Sequence, residues 1–276
     1  MIHLGLIGYP LEHSLSPKLH TAALQSCRLE GDYSLFPIAP DDNQSLKDLL
    51  FRVRSGEIHG LNVTIPHKRV VIQFLDGFTR TAEAIGAVNT IYLRENKLIG
   101  DNTDASGFLT DLKSLVDSSA FSFQPSALVL GAGGSARAVV YALMNAGWEV
   151  SIAARRMEQA QQLADSFTNY ELQMLDFTLS NIELSNISLI VNTTPIGMTP
   201  NTDQSPWPEN LPFPINAAIY DLVYNPWETK LVKDAHAEGL NAITGLGMLI
   251  EQATLSFEIW TGCDPSRELL FDAVKY

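Results

Sequence analysis

The stretch SALVLGAGGSARAVVYALMNAG, residues 126–147, limits what this chain can fold into more than any other. A short apolar run, a glycine-rich turn and an apolar-striped segment closed by Gly147 read as strand, tight loop and helix. Within the loop, Gly131-x-Gly133-x-x-Ala136 gives each position a separate task. Gly131 permits the turn, Gly133 lets backbone N–H groups come close to a pyrophosphate, and Ala136 lets the helix lie tight on the strand. The helix start adds unpaired N–H groups and the positive end of its dipole. Gly131, Ala132, Gly133, Gly134, Ser135 and Ala136 are therefore a candidate phosphate cradle. The plain alternative is an ordinary glycine-rich turn, and the setting between strand and helix argues against it.

The next strand selects among dinucleotides. A site for NAD carries Asp or Glu at that strand's end, accepting from the ribose 2′-hydroxyl. Here the segment is EVSIAARRMEQA, so Ala153 and Ala154 end the strand and Arg155 and Arg156 follow. No carboxylate stands there to repel a 2′-phosphate, and two guanidinium groups are available to bind one. NADP is the expected cofactor; a merely solvated Arg pair is the alternative. Further strands are expected at 127–130, 149–153, 171–175, 187–193, 218–223 and 241–243, with intervening helices. Six such strands match a doubly wound, Rossmann-like domain.

Charge and composition narrow the partners. Eighteen Lys and Arg against 31 Asp and Glu leave a net charge of −13, which repels nucleic acid and anionic lipid. Neither is expected as a partner. An anionic ligand would then need a locally basic site, which makes single Lys and Arg residues informative. Cys27 and Cys263 are the only cysteines, far apart in sequence and without metal-site spacing, so no metal is expected and a reducing cytoplasm fits. The start MIHLGLIGYP has no basic n-region or long apolar core, so no signal peptide is expected, and no stretch reaches a bilayer-spanning length.

The amino-terminal part alternates differently. HLGLIG (3–8), YSLFPIA (33–39) and GLNVTI (60–65) read as strands, separated by helices over 16–27 and 43–56. This order implies a parallel sheet, but NTIYLRENKLIGD (89–101) reads as an antiparallel hairpin about Glu95-Asn96, so the sheet is expected to be mixed. DSSAFSFQPS (117–126) reads as a linker, and 245–262 and 265–274 as helices, at least one of them returning to the first domain. Ligands of open α/β sheets gather at the carboxyl ends of strands. Ser14 and Ser16 follow strand one, Asn62 and Thr64 share a face of strand three, and Lys68 follows its end. Asn89 and Asp104 flank the hairpin. Convergence of these groups on a cleft would suit a small polyhydroxylated acid. Most have a duller reading: Ser16 as N-cap before Pro17, Asp104 as N-cap of the helix at 105–116, Asn62 and Thr64 as polar residues blunting a strand, and Lys68 as a solvated lysine starting a helix.

The series S-x-S, N-x-T-x-P-x-K, G-A-x-N-T and D-N-T-D-x-x-G, followed by GAGGSARA, NTTPIGM, YDLVYNP and GLGMLIEQA, resembles the NADP-dependent shikimate dehydrogenase family over essentially the whole chain. The resemblance implies an oxidoreductase of aromatic amino-acid biosynthesis that reversibly reduces 3-dehydroshikimate to shikimate. It implies Ser14 and Ser16 on the substrate carboxylate, Asn62, Thr64, Asn89 and Gln252 on ring hydroxyls, and Tyr224 closing the site. Lys68 and Asp104 would be the catalytic pair. The phosphate loop, Arg155, Arg156, Thr193, Gly245 and Met248 would hold NADP, although the family often reads N-R-T where this chain has Ala154-Arg155-Arg156. The expected layout is α/β in two domains: a mixed-sheet substrate domain, 1–104 plus about 247–276, and a Rossmann-like NADP domain, 105–246. Few crossings between domains suggest a hinge that closes on substrate. Burial and the neighbouring carboxylate act oppositely on Lys68, which leaves open whether it transfers the proton or stabilises charge while water relays it. The substrate is the expected small-molecule partner, and the chain is expected to be a monomer or homodimer. Two alternatives stand beside this: an enzyme that also takes quinate, and a non-catalytic NADP-binding regulator, which would not need Lys68 and Asp104.

Overall fold

The computed structural model describes residues 1–116, 125–167, 172–179 and 186–275. The chain divides into two compact units, Met1–Gly107 with Ile250–Tyr276, and Phe108–Leu249.

Unit 1 opens with β1 (Ile2–Gly8), α1 (Ser16–Ser26), β2 (Gly31–Pro37), α2 (Asn43–Arg54) and β3 (Gly60–Val63). It continues through α3 (His67–Val70), a 3₁₀ turn (Val71–Phe74), β4 (Gly77–Phe78), α4 (Arg80–Ile85), β5 (Thr90–Arg94) and β6 (Lys97–Asp101). The sheet runs β2-β1-β3-β5-β6-β4, parallel on either side of β1 and antiparallel from β3 to β6. It is mixed, as the hairpin pattern requires. Glu95 and Asn96 turn that hairpin with φ of 51° and 59°, the left-handed pair that suits a two-residue connection. The short β4 beside β6 is an element the sequence pattern did not show. Leu46, Leu49, Leu50 and Val53 of α2 fall at helical spacing, and all four are buried in the core beneath the sheet with Leu61, Val63 and Ile91.

Two expected helix caps are corrected. The N-cap of α1 is Leu15 with no side-chain bond, and Ser16 is already helical; its N–H donates to Ser14 Oγ at 3.3 Å. Helix α5 (Asp104–Leu115) starts at Asp104 itself. Asn102 Oδ1 accepts from Ala105 N at 3.3 Å, so Asn102 serves the helix end and the Asp104 carboxylate turns elsewhere.

Unit 2 holds β7 (Ser126–Leu130), α6 (Gly134–Asn145), β8 (Glu149–Ala154), α7 (Met157–Ala164), β9 (Gln173–Asp176), β10 (Ile187–Asn192), β11 (Ala218–Asp221), α8 (Lys230–Ala237) and β12 (Ala242–Thr244). All six strands are parallel in the order β12-β11-β10-β7-β8-β9, the doubly wound arrangement, in which the first strand lies centrally. One expectation fails: residues 193–217 connect β10 to β11 through turns, without a helix. That segment carries six prolines, Pro195, Pro200, Pro206, Pro208, Pro212 and Pro214, within 20 residues, each lacking the N–H a helix interior requires. The proposed linker at 117–126 lies, up to residue 124, outside the described residues; Ser126 already belongs to β7.

Helix α9 (Leu246–Thr261) begins in unit 2 and continues into unit 1, and α10 (Arg267–Val274) belongs to unit 1, where it packs on α1. There Cys27 and Cys263 are joined in a disulfide with Cα atoms 6.3 Å apart. This pairing corrects the expectation of two distant, unrelated thiols. Their separation of 236 positions hides the fact that the end of α9 returns to the end of α1. No helix of the described residues is long and apolar enough to cross a membrane.

Candidate active site

In unit 1 the polar residues around the ends of β3 and β5 form one buried cluster. Strand register sets it up: Asn62 lies opposite Leu6 on one side and Thr90 on the other. The chain leaves β3 through Thr64 and starts α3, which buries Lys68. Lys68 O accepts from Val88 N at 2.8 Å, so the lysine's backbone is tied to the segment carrying Asn89. Lys68 Nζ meets Asp104 Oδ2 at 2.6 Å, with side chains 11% and 6% exposed. The other carboxylate oxygen, Asp104 Oδ1, accepts from Asn89 Nδ2 at 2.9 Å.

Asn89 is the hub. Its Nδ2 also donates to Thr103 Oγ1 at 2.9 Å and Gln252 Oε1 at 3.3 Å, and its Oδ1 accepts from Thr103 N at 2.8 Å and Thr90 Oγ1 at 2.9 Å. Asn62 is fixed in the same way: Oδ1 accepts from Tyr33 OH at 2.8 Å, and Nδ2 donates to Ser256 Oγ at 3.1 Å and Asn89 O at 3.2 Å. Beneath this layer the His20 ring stacks on Tyr33 at 4.3 Å. Burial there depresses the His20 pKa to about 3, so the ring is neutral and behaves as an aromatic support.

The structure thus brings together Lys68, Asp104, Asn62, Asn89 and Gln252. Thr64 sits half-buried at the end of β1, where a side chain on Gly8 would come within 2.4 Å of Thr64 Cγ2. Ser14 and Ser16 meet each other through the bond already described, with Ser16 buried. Tyr224 belongs to unit 2, after β11. Sequence reasoning missed Tyr33, Thr90, Thr103 and Ser256. Ser256 had a signal, four residues from Gln252 and hence on the same helix face. Tyr33 had none, since only strand order aims its hydroxyl at Asn62.

In unit 2 the glycine loop fits a diphosphate. Gly131 has φ +112°, and a Cβ there would lie 2.6 Å from Thr193 Oγ1, so this position accepts only glycine. Thr193 is locked by its N–H and hydroxyl, which donate to Leu130 O at 2.9 and 2.7 Å. A Cβ on Gly133 would meet nothing within 4 Å, leaving one side of the loop open to an approaching group. Gly133 is the N-cap of the 12-residue α6 and provides no side-chain cap, while Ala136 is fully buried. An anion suits that helix end. After β8, Arg155 and Arg156 are both exposed. Asp176 stands opposite Ala154 in the register, but its carboxylate accepts from the N–H and hydroxyl of Thr178, which lower its pKa. That carboxylate is thereby occupied within its own turn. Among the described residues, no group of His, Cys, Asp and Glu could hold a metal ion.

A second buried carboxylate lies at the end of β11. Asp221 accepts from Asn192 Nδ2 at 2.8 Å, Val223 N at 3.0 Å and Thr229 Oγ1 at 2.7 Å. Burial outweighs these bonds and raises its pKa to about 6. It ties the end of β10 to the loop that carries Tyr224.

Three family profiles cover most of the chain. Residues 6–91 match the shikimate dehydrogenase substrate binding domain, residues 116–197 match shikimate / quinate 5-dehydrogenase, and residues 245–275 match the shikimate 5'-dehydrogenase C-terminal domain. The curated shikimate dehydrogenase (NADP(+)) of Salinibacter ruber is 39% identical over 277 residues, covering 98% of this chain and 95% of the relative. The crystal structure of shikimate 5-dehydrogenase from Thermus thermophilus in complex with NADP(H) and shikimate superposes with a TM-score of 0.86 at 38% identity, over 100% of this chain and 99% of that one. The quinate dehydrogenase of Corynebacterium glutamicum in complex with NAD gives a TM-score of 0.86 at 31% identity, over 99% and 98% of the two chains.

Proposed function

The chain belongs to the shikimate dehydrogenase family, and from that premise we propose that it catalyses the reversible NADPH-dependent reduction of 3-dehydroshikimate to shikimate, in aromatic amino-acid biosynthesis. The observation that carries this is the buried Lys68–Asp104 pair at 2.6 Å, clamped by Asn89. Burying two charges gains little stability over an apolar pair of similar shape. A lysine held so among hydrogen-bonding side chains is accounted for by chemistry on a polar ligand.

NADPH, when bound, supplies the hydride. The phosphate loop from Gly131 to Ala136 and Thr193 would hold its diphosphate, Arg155 and Arg156 its 2′-phosphate, and Gly245 and Met248 its nicotinamide end. Reduction of a ketone leaves negative charge on the former carbonyl oxygen. Lys68 stabilises that charge with its ammonium group and would give the oxygen its proton, which solvent then returns to the lysine, while Asp104 keeps the ammonium in place and accepts a hydrogen bond from the product hydroxyl. Asn89 fixes the carboxylate, so neither charge has to reorganise as the reaction proceeds. Ser14 and Ser16 would take the substrate carboxylate, and Asn62, Thr64, Asn89 and Gln252 its hydroxyls, with Tyr224 closing the site. The two small molecules are the partners in this reading, with no nucleic acid or membrane, and the chain acts as a monomer or homodimer. The reaction draws on the cellular NADPH pool, so we place it in the cytoplasm.

Absorbance at 340 nm with shikimate and NADP⁺ tests this. The parent chain turns over, and Lys68→Ala lowers kcat by ~10²–10⁴, the usual loss on removing an acid–base group. That corresponds to about 3–5 kcal/mol of barrier. The KM for shikimate moves far less, because the other binding contacts survive. Absence of turnover in the parent, or an unchanged kcat in Lys68→Ala, refutes the proposal. The match of residues 116–197 to shikimate / quinate 5-dehydrogenase favours one second reading, an enzyme that also oxidises quinate. The same assay with quinate decides it.

A further inference from the structure

Asp111 and Tyr220, which have no role in the chemistry above, form a cluster with the first turn of α9. Asp111 lies on α5, and its Oδ2 accepts from Tyr220 OH at 2.5 Å and from Met248 N at 3.0 Å. Tyr220 is fully buried in β11, its ring edge-on to Phe108 at 5.0 Å. A Cβ on Gly247 would lie 2.0 Å from Asp111 Oδ1, and one on Gly245 would lie 2.5 Å from Leu222 O. So the backbone of 245–248 is pressed against a carboxylate on one side and the end of β11 on the other.

We propose that Asp111, oriented by Tyr220, is the positioning residue for the Gly245–Met248 turn, and hence for the nicotinamide end of the dinucleotide. This rests on the function proposed above. A helix start has N–H groups without intrahelical partners, and a negative charge there is favourable. Asp111 supplies both acceptor and charge from 137 positions away in sequence, acting as a cap from outside the helix. Tyr220 makes the cap rigid, because its hydroxyl holds the oxygen that Met248 N–H also binds. Burial raises the pKa of both Asp111 and Tyr220, as expected of groups removed from water. Gly247 completes the arrangement: with the carboxylate pinned by two donors, any side chain there must displace it. Asp111 touches no reacting atom; it acts through the backbone of Met248.

The test uses the full chain with Asp111→Asn, Asp111→Ala, Tyr220→Phe and Gly247→Ala. In the cofactor-free protein, hydrogen exchange at the Met248 amide speeds up by a factor of ten or more in Asp111→Ala and Gly247→Ala, and less in Asp111→Asn and Tyr220→Phe. Binding of 2′,5′-ADP, which lacks nicotinamide, stays within threefold of the parent. The fluorescence of bound NADPH, which reports the nicotinamide environment, changes. With 3-dehydroshikimate and NADPH, kcat falls at least tenfold, KM for 3-dehydroshikimate stays within threefold, and the primary deuterium isotope effect from NADPH deuterated at the transferred C4 position increases. Partial unfolding would lower kcat without altering that isotope effect. Unchanged exchange at Met248 overturns the proposal. So does accelerated exchange with unaltered NADPH fluorescence and isotope effect. Weakened 2′,5′-ADP binding in Asp111→Asn would assign the cluster to the general integrity of unit 2, and also overturns it. If the parent fails to oxidise shikimate, the function falls, while exchange and NADPH fluorescence still decide the positioning role.

Discussion

Breaking the Cys27–Cys263 bond is a perturbation whose size follows directly from the path of the chain. The bond joins the C-cap of α1 to a residue just past α9, 236 positions away. In the unfolded chain, a cross-link of that span removes loop-closure entropy amounting to about 5 kcal/mol at 25 °C. If unit 2 stays folded while unit 1 opens, the disordered part of the loop shrinks to roughly 90 residues, but the logarithmic dependence changes the figure by only about 1 kcal/mol. Measured disulfides typically deliver ~2–4 kcal/mol. For a unit of this size that is a Tm change of roughly 5–15 °C. Scanning calorimetry of the parent, Cys27→Ser and Cys263→Ser, each with and without a thiol reductant, reads it. Without reductant the parent melts ~10 °C above both variants. With reductant the three melt together, and the denatured, unreduced parent shows no titratable thiol. Two titratable thiols in the air-purified parent would refute the bond. A reductant that leaves the parent's melting unchanged, while the serine variants melt early, would assign the loss to packing and refute the loop argument.

Two further outcomes follow from the charges of unit 2. Changing Arg155 and Arg156 together to Ala raises the KM for NADP⁺ by ~10–100-fold, the worth of one or two charge-assisted hydrogen bonds, and leaves that for NAD⁺ nearly unaltered; parallel initial-rate assays check it. Asp221, raised to about 6 by burial, holds its proton in the folded state where the unfolded chain has lost it, so its contribution to stability falls as pH rises from the ordinary aspartate range through 6. Asp221→Asn keeps a carbonyl acceptor without that charge, so its stability relative to the parent rises between pH 4.5 and 8 by ~2 kcal/mol, read as a rising Tm difference; parallel melting curves across that range would contradict the burial argument.

What the sequence disclosed divides along physical lines. The glycine loop was legible because turn, close approach and helix start are all encoded within a few consecutive residues. Lys68 and Asp104 stood out as chemical types, yet local pattern could not separate two good caps, Asn102 and Asp104, standing two residues apart. The choice is made by Lys68 in α3, which draws the Asp104 carboxylate away and leaves Asn102 to the helix. Tyr33 and Thr90 acquire their roles from strand order, with β2 and β3 on either side of β1 and β5 next to β3. Periodicity does not report order across a sheet. The disulfide was hidden for a related reason: proximity of α1 and α10 is a property of the returned chain. The absent helix between β10 and β11 was the reverse case, since its prolines were visible and outweighed by the regularity of the surrounding pattern.

The buried cluster of unit 1 is better understood as fixed geometry than as stabilisation. Hydroxyls and amides removed from water return little net free energy even when fully bonded, and a half-bonded set costs more than an apolar core. The pattern of bonds shows what is gained. Asn89 binds Asp104 through Oδ1 and leaves Oδ2 to Lys68, so the two carboxylate oxygens are assigned different partners. Asn89 is itself held by Thr90 and Thr103, and Thr90 and Thr103 each lie within hydrogen-bond reach of Ser256. Tyr33, stacked on a neutral His20, fixes the Asn62 amide from the other side. Each layer removes a rotational choice from the one above it, until the lysine ammonium has one place to stand. An ammonium placed in advance stabilises charge as it develops without first reorganising, which is the condition under which a single buried cation contributes most to a hydride-transfer step.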